Sequence, residues 1–278
     1  MGGAHVSLRV AVTVAAALVL APSAAALQGR VIEDSFASKG LQSRLSFAVY
    51  LPPGYDAGTM RYPVVYYLHG LPANSQAFTS FHYVVNALEL AQRQAIVVAP
   101  QGAHVGDTDA EYLDWSAGRE WETAIAVELP RVVDNRYRTL PRRSARAILG
   151  VSAGGYGATV IGLHHLDEYG AIESWSGYFH PTDPSGTHVL QREPEATPLT
   201  LVPMLRAKMS HESTFLGFYV GASDARFRAD NVLFARTLSR ASVPFTFRMY
   251  PGGHQQSLWS AEAPIWLGLA LDRLDAPQ

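Results

Sequence analysis

A chain of 278 residues, 48% of them hydrophobic, is long enough to bury one large core. Its formal net charge of −2, with the basic residues scattered, excludes the electrostatic footprint of a nucleic-acid binder. The absence of cysteine removes a disulfide framework, a thiolate nucleophile and a Cys-zinc site from consideration.

Residues 1–26 have the layout of an export signal. Arg9 and the free amino terminus supply positive charge, Val10 to Leu20 an apolar core, and Ser23-Ala24-Ala25-Ala26 the small residues a signal peptidase needs. That core is too short to span a bilayer, which argues against the competing reading of an uncleaved anchor. Cleavage at Ala26 or a neighbouring residue leaves residues 27–278 as a mature domain, secreted or in the cell envelope and without stable membrane insertion. No repeat or Pro/Ser-rich linker divides it, so a single domain is expected.

Leu45, Phe47, Val49 and Leu51 alternate with the period of a half-buried strand, which Pro52-Pro53-Gly54-Tyr55 stops; an antiparallel strand at the sheet edge is expected there. Pro63 to Leu68 has the continuous apolar character of a central strand and runs into His69-Gly70-Leu71. Phe81, Val84, Val85 and Leu88 fall at helical spacing, and Ala95 to Pro100 reads as the next buried strand, so a β-α-β alternation begins. Residues 101–119 form a Gly- and Asp-rich loop holding His104, Tyr112, Asp114 and Trp115, placed to wall a pocket. Trp121, Ala124, Ile125, Leu129, Val132 and Val133 predict a helix that Pro130 kinks or breaks.

Ala147 to Val151 predicts a buried strand, Gly150-Val151-Ser152-Ala153-Gly154 a sharp turn, and Tyr156 to Leu166 a helix: a strand-turn-helix with a serine at its apex. Such a turn strains the serine and tolerates no bulk two residues to either side, where Gly150 and Gly154 stand. Ile172 to Trp175 is a further strand, followed by Tyr178 and Phe179 and a Pro-rich, irregular stretch from Pro181 to Pro203 suited to setting specificity. Thr214 to Val220 predicts a strand ending at Gly221-Ala222-Ser223-Asp224, then a helix from about Asp230 to Leu238. Phe245 to Tyr250 is the last strand, ending at Gly252-Gly253-His254, and an apolar helix with Trp266, Leu267, Leu271 and Leu274 closes the chain.

A serine hydroxyl is a poor nucleophile at neutral pH and needs a base, which in turn needs an acid to orient it. Ser152, Asp224 and His254 each follow a predicted strand and occur in the order serine, acid, histidine. Asp230 and Glu212 are rival acids, although neither directly follows a strand end. The charge on a tetrahedral intermediate needs backbone N–H donors: Ala153, just after the nucleophile, is one, and Leu71 in the loop after His69-Gly70 is the expected second. His164 and His165 read as helix-surface residues whose adjacent positions do not face one metal.

The segments Val49 to Tyr55, Tyr62 to Gly70, Trp121-Glu122-Thr123 with Glu128-Leu129-Pro130, Gly150 to Gly155 and Gly252-Gly253-His254 resemble the α/β-hydrolase esterases that include esterase D, feruloyl and acetylxylan esterases and the trehalose mycolyltransferases. Asp114-Trp115 followed by Trp121-Glu122-Thr123 looks most like the mycolyltransferase branch. The resemblance implies a mostly parallel central sheet with helices on both faces, Ser152, Asp224 and His254 as triad, Leu71 and Ala153 as oxyanion donors, and chemistry without metal or organic cofactor. A secreted serine esterase acting on a small-molecule, polysaccharide or lipid ester is the leading expectation. An acyltransferase moving the acyl group to a sugar or lipid hydroxyl, and a catalytically silent surface binding protein, are the alternatives. Trp115, Tyr112, Tyr178 and Phe179 are the side chains placed to meet substrate.

Overall fold

Runs of five or six consecutive apolar residues cannot be half-exposed, so they gather as neighbours in the middle of one sheet. The computed structural model describes residues 1–2, 29–71, 74–106, 112–181 and 194–278, so all but the first two residues of the expected export signal lie outside it. Eight strands, β1 (Arg30–Ser38), β2 (Ser43–Leu51), β3 (Val64–Leu68), β4 (Ile96–Pro100), β5 (Arg146–Val151), β6 (Ala171–Trp175), β7 (Phe215–Gly221) and β8 (Thr246–Tyr250), form one sheet in the order β1-β2-β4-β3-β5-β6-β7-β8. From β4 to β8 all pairings are parallel, and β1 and β2 add an antiparallel margin.

Helices cover both faces. Helix α1 (His82–Leu90) and helix α7 (Gln256–Leu271) pack with Val65, Leu149 and Trp175 on one side. On the other side, α2 (Trp121–Thr123), α3 (Leu129–Arg136), α4 (Ala153–His164), α5 (Pro198–His211) and α6 (Arg228–Arg240) accompany Tyr66, Ile148 and Phe218. Among the described residues no helix is long and apolar enough to cross a membrane.

The structure departs from the sequence reading in three places. β2 is not the edge: β1 pairs along its full length, and Val49 and Tyr50, on opposite faces, are both buried. β1 carries too many polar residues to show an apolar run, because most of its side chains stay partly exposed. Pro130 does not break its helix; a π turn over Ala124–Glu128 directly precedes α3, and the helical backbone continues through Pro130. The Pro-rich stretch becomes regular from Pro198 onward, with Pro198 starting α5 and Pro203 tolerated on its exposed side.

Candidate active site

The peptide chain reverses within one residue between β5 and α4. Ser152 takes φ 57° and ψ −120°, a conformation side chains other than glycine rarely adopt, and its amide donates to the Trp175 carbonyl at 2.9 Å. A Cβ on Gly154 would overlap the Leu68 carbonyl of the neighbouring strand, so only glycine lets α4 start this close to β3. The turn leaves Ser152 at the carboxyl edge of the sheet with Ala153 as the first residue of α4.

The loops after β7 and β8 reach the same place. Asp224 Oδ1 accepts from the Arg226 and Phe227 amides at 3.0 and 3.1 Å, which fixes the carboxylate, and Oδ2 faces His254 Nδ1 at 2.9 Å. The other imidazole nitrogen, Nε2, lies 2.9 Å from Ser152 Oγ. The side chain of Asp224 is fully buried, whereas that of His254 stays 15% exposed. Burial pushes the His254 pKa down and the Asp224 carboxylate pushes it up; with nearby Arg226 also lowering it, the imidazole stays below its ordinary 6.5 and is neutral at pH 7. The rival acids stand elsewhere: Asp230 accepts from the Phe179 amide at 2.5 Å and faces His180, and Glu212 pairs with Arg143.

Two backbone amides donate to no described residue: that of Ala153, which follows Ser152 and opens α4, and that of Leu71, which lines the same cavity as Ser152. The loop carrying Leu71 touches the nucleophile, since a Cβ on Gly70 would come within 2.9 Å of Ser152 Cβ. A cavity of about 410 Å³ opens here, lined by Ser152, Gly70 and Leu71 and, towards α1 and α7, by Tyr67, Tyr83 and Trp259. Another, of about 430 Å³, lies at the opposite ends of β7 and β8 around Phe215 and Phe245 and holds none of these groups. Among the described residues no cluster of three or more His, Cys, Asp or Glu side chains is placed to hold a metal ion.

The aromatic residues expected to meet substrate do not line the cavity beside Ser152. Phe179 is fully buried, stacked on Phe234 with ring centroids 3.8 Å apart. Tyr112 is fully buried beneath the His69 loop, its hydroxyl donating to the His69 carbonyl at 2.7 Å. Tyr178 stacks flat on Tyr156 and against Phe227, whose ring meets His254, so it flanks the site. Trp115 is partly exposed and packs on the Leu113 and Tyr156 cluster. Tyr83 and Trp259 were not legible as lining residues, because in sequence they are ordinary members of amphipathic helices.

His164 and His165 do converge, on a carboxylate. Glu122 Oε1 takes His164 Nδ1 at 2.7 Å and His165 Nε2 at 3.0 Å, which is possible because α4 ends at His164 and the backbone turns away at His165. Asp114 accepts from the Thr123 amide and hydroxyl at 3.0 and 2.6 Å, tying the Asp114-Trp115 and Trp121-Glu122-Thr123 segments together.

Known proteins share this architecture. A ferulic acid esterase superposes with a TM-score of 0.79 at 25% identity, covering 89% of this chain and 100% of that one. FphF, a fluorophosphonate-binding serine hydrolase of Staphylococcus aureus, gives 0.74 at 20% identity over 88% and 99% of the two chains. An S-formylglutathione hydrolase from Agrobacterium tumefaciens gives 0.74 at 22% identity over 90% and 97%. The family described as "Putative esterase" matches residues 38–264, most of the chain, and with it the protein belongs to the esterase family of α/β-hydrolase fold and is a carboxylic ester hydrolase.

Proposed function

We propose that the protein is an exported serine esterase that works through an acyl-enzyme on Ser152. The observation that supports this most directly is the unbroken chain Ser152 Oγ, His254 Nε2, His254 Nδ1 and Asp224 Oδ2, with both links at 2.9 Å. Ser152 Oγ attacks the ester carbonyl carbon while His254 Nε2 takes its proton and the carbonyl π pair moves onto oxygen. The Leu71 and Ala153 amides donate to that oxyanion, and Asp224 stabilises the imidazolium. Collapse breaks the bond to the alcohol oxygen, which leaves with the proton from His254. Water then repeats the sequence on the acyl-enzyme and frees the acid and Ser152.

Water is the proposed acceptor, and the acyl group short or aromatic: the cavity at Ser152 is of modest size and walled by Tyr67, Tyr83 and Trp259, and the likeness to a ferulic acid esterase points the same way. Export rests on the composition of residues 1–26. A fluorophosphonate probe should label the wild-type protein at Ser152, and mass spectrometry of the products should show free acid with trehalose or glycerol present. Acetyl to butyryl esters should turn over faster than palmitoyl ones. An unlabelled Ser152 sinks the serine mechanism, acylated sugar or glyceride as main product replaces hydrolysis by transfer, and secreted material still carrying residues 1–26 overturns cleavage.

A further inference from the structure

The direction of a backbone N–H is fixed by the carbonyl that precedes it, because the two share a planar, almost always trans peptide unit and point opposite ways. For Leu71 that carbonyl belongs to Gly70. His69 Nδ1 lies 3.0 Å from the Gly70 oxygen, and since a carbonyl oxygen only accepts, Nδ1 carries the hydrogen. Nε2 is then the unprotonated nitrogen, and it is buried without a hydrogen-bond partner among the described residues. Burial pushes the His69 pKa down to about 4, so the ring is neutral at pH 7 and holds this one tautomer.

One peptide unit earlier, the Tyr112 hydroxyl donates to the His69 carbonyl at 2.7 Å. Two consecutive peptide planes are therefore pinned, one by a phenol and one by an imidazole. The anchor is itself unusual: Tyr112 is fully buried, with φ 56°. Its ring lies against Gly157 of α4, where a Cβ would overlap it, and edge-on to the His69 ring at 5.8 Å. The same side chain thus leans on the helix whose first residue is Ala153 and holds the loop that carries Leu71. Packing alone would need only the ring; the hydroxyl is committed to the His69 carbonyl.

We propose that Tyr112 and His69 are positioning residues that aim the Leu71 amide at the oxyanion of the tetrahedral intermediate. The proposal rests on the reading of Leu71 N–H as an oxyanion donor given above. It concerns a group that acts on the transition state and not on the bound ester, so its loss appears in kcat and leaves KM.

The test compares Tyr112→Phe, His69→Ala and His69→Asn with wild type. Asparagine places an N–H as many bonds from Cα as imidazole Nδ1, so it restores the bond to Gly70 without the ring. Removing a whole oxyanion donor lowers kcat by about 100- to 1,000-fold in a serine protease, so a misdirected donor should lower it by about tenfold in Tyr112→Phe and about 100-fold in His69→Ala. KM should stay within about twofold, and Ki for a trifluoromethyl ketone, whose adduct on Ser152 carries the oxyanion, should rise by the same factor as kcat falls. His69→Asn should recover most of the His69→Ala loss. Tyr112→Phe with wild-type kcat and ketone affinity overturns the proposal. Should Tyr112→Phe fail to fold, the histidine pair decides: His69→Asn no better than His69→Ala overturns it as well. Fluorophosphonate labelling of wild-type Ser152 separates the two levels, since an unlabelled serine defeats the serine mechanism, whereas a labelled one with indifferent variants defeats only the positioning roles.

Discussion

Two regions meet at Ser152 and are built by different means. The edge formed by the ends of β5, β7 and β8 is set by the backbone: a serine at positive φ, the Gly154 contact with β3, and a carboxylate held by two amides. The flank formed by Tyr156, Tyr178, Phe227 and Ala196 is set by side chains, with the Tyr178 ring stacked on Tyr156 at 5.1 Å and tilted against Phe227 at 4.9 Å, and the Tyr156 hydroxyl donating to the Ala196 carbonyl. The difference teaches where damage should register. Changes at the edge should remove chemistry and leave the fold; changes at the flank should loosen the fold and leave the nucleophile competent.

The largest effect expected is at the edge. Ser152→Ala, losing one hydroxyl at a turn, should fold with an unchanged melting temperature and lose about a million-fold in kcat, with His254→Ala matching it. Retained hydrolysis of a p-nitrophenyl ester by a clean preparation would exclude Ser152. Next comes the choice of acid: Asp224→Asn should lower kcat by about 10,000-fold, as loss of the orienting carboxylate does in a serine protease. Asp230→Asn should keep turnover, because its carboxylate serves the Phe179 amide and His180. If Asp230→Asn is the dead variant, the carboxylates have been assigned the wrong way round.

At the flank, Tyr178→Ala should destabilise the fold by about 3 kcal/mol, within the range for emptying a buried aromatic site, since Tyr178 is only 4% exposed and touches Tyr156 and Phe227. Fluorophosphonate labelling of Ser152 below the melting transition should proceed at close to the wild-type rate. A labelling rate that collapses while the melting temperature holds would mean that the two regions are not separable.

The same division explains what could be read from the chain. Gly150, Ser152 and Gly154 announce the turn because its geometry excludes other residues, and Gly252-Gly253-His254 marks the last loop for a similar reason. Central strands β3 to β7 were legible because burial on both faces demands apolar runs. β1 was illegible because an edge strand can stay polar, and α5 because prolines read as breakers when they stand at a helix start or on an exposed face. The loop holding Tyr112 follows a strand and so reads as a pocket wall, but tertiary contact with Gly157 and His69 turns the tyrosine inward, which no local pattern signals.

A smaller effect at the edge concerns pH. Burial holds the His254 pKa below 6.5, and Arg226 adds to this against the pull of Asp224. The acid limb of kcat/KM should therefore fall below pH 6.5, activity being lost as His254 gains its proton. Arg226→Ala removes a positive neighbour and should move the limb upward by a fraction of a unit; a limb that does not move would mean that solvent screens Arg226 from the imidazole.

The smallest effect belongs to the flank and its tie to α4. His164 gives Nδ1 to Glu122 at 2.7 Å and Nε2 to the Glu195 carbonyl at 2.7 Å. With an acceptor on each side, both nitrogens carry hydrogen only in the imidazolium, which alone can make both bonds at once. Burial lowers the His164 pKa, but the hydrogen bond and charge of Glu122, with the Glu195 carbonyl, outweigh it and raise the group above its ordinary 6.5. Burial likewise pushes Glu122 up, and its bonds to His164 and His165 overcome this and bring it down to about 2. The sign follows from linkage: stability from a raised histidine is complete below pH 6.5 and fades as pH rises through the folded value. Stability from the depressed carboxylate is complete above 4.5 and fades as pH falls towards about 2. The clamp is thus whole between pH 4.5 and 6.5. The melting-temperature gap between wild type and His164→Gln should be widest there and narrow at alkaline pH, reaching a few degrees at most because His164 is part-exposed and solvent screens the pair. A gap that stays constant across that range would show that His164 acts as a neutral hydrogen-bonding spacer between α4 and the residues before α5, which glutamine would then replace with little loss.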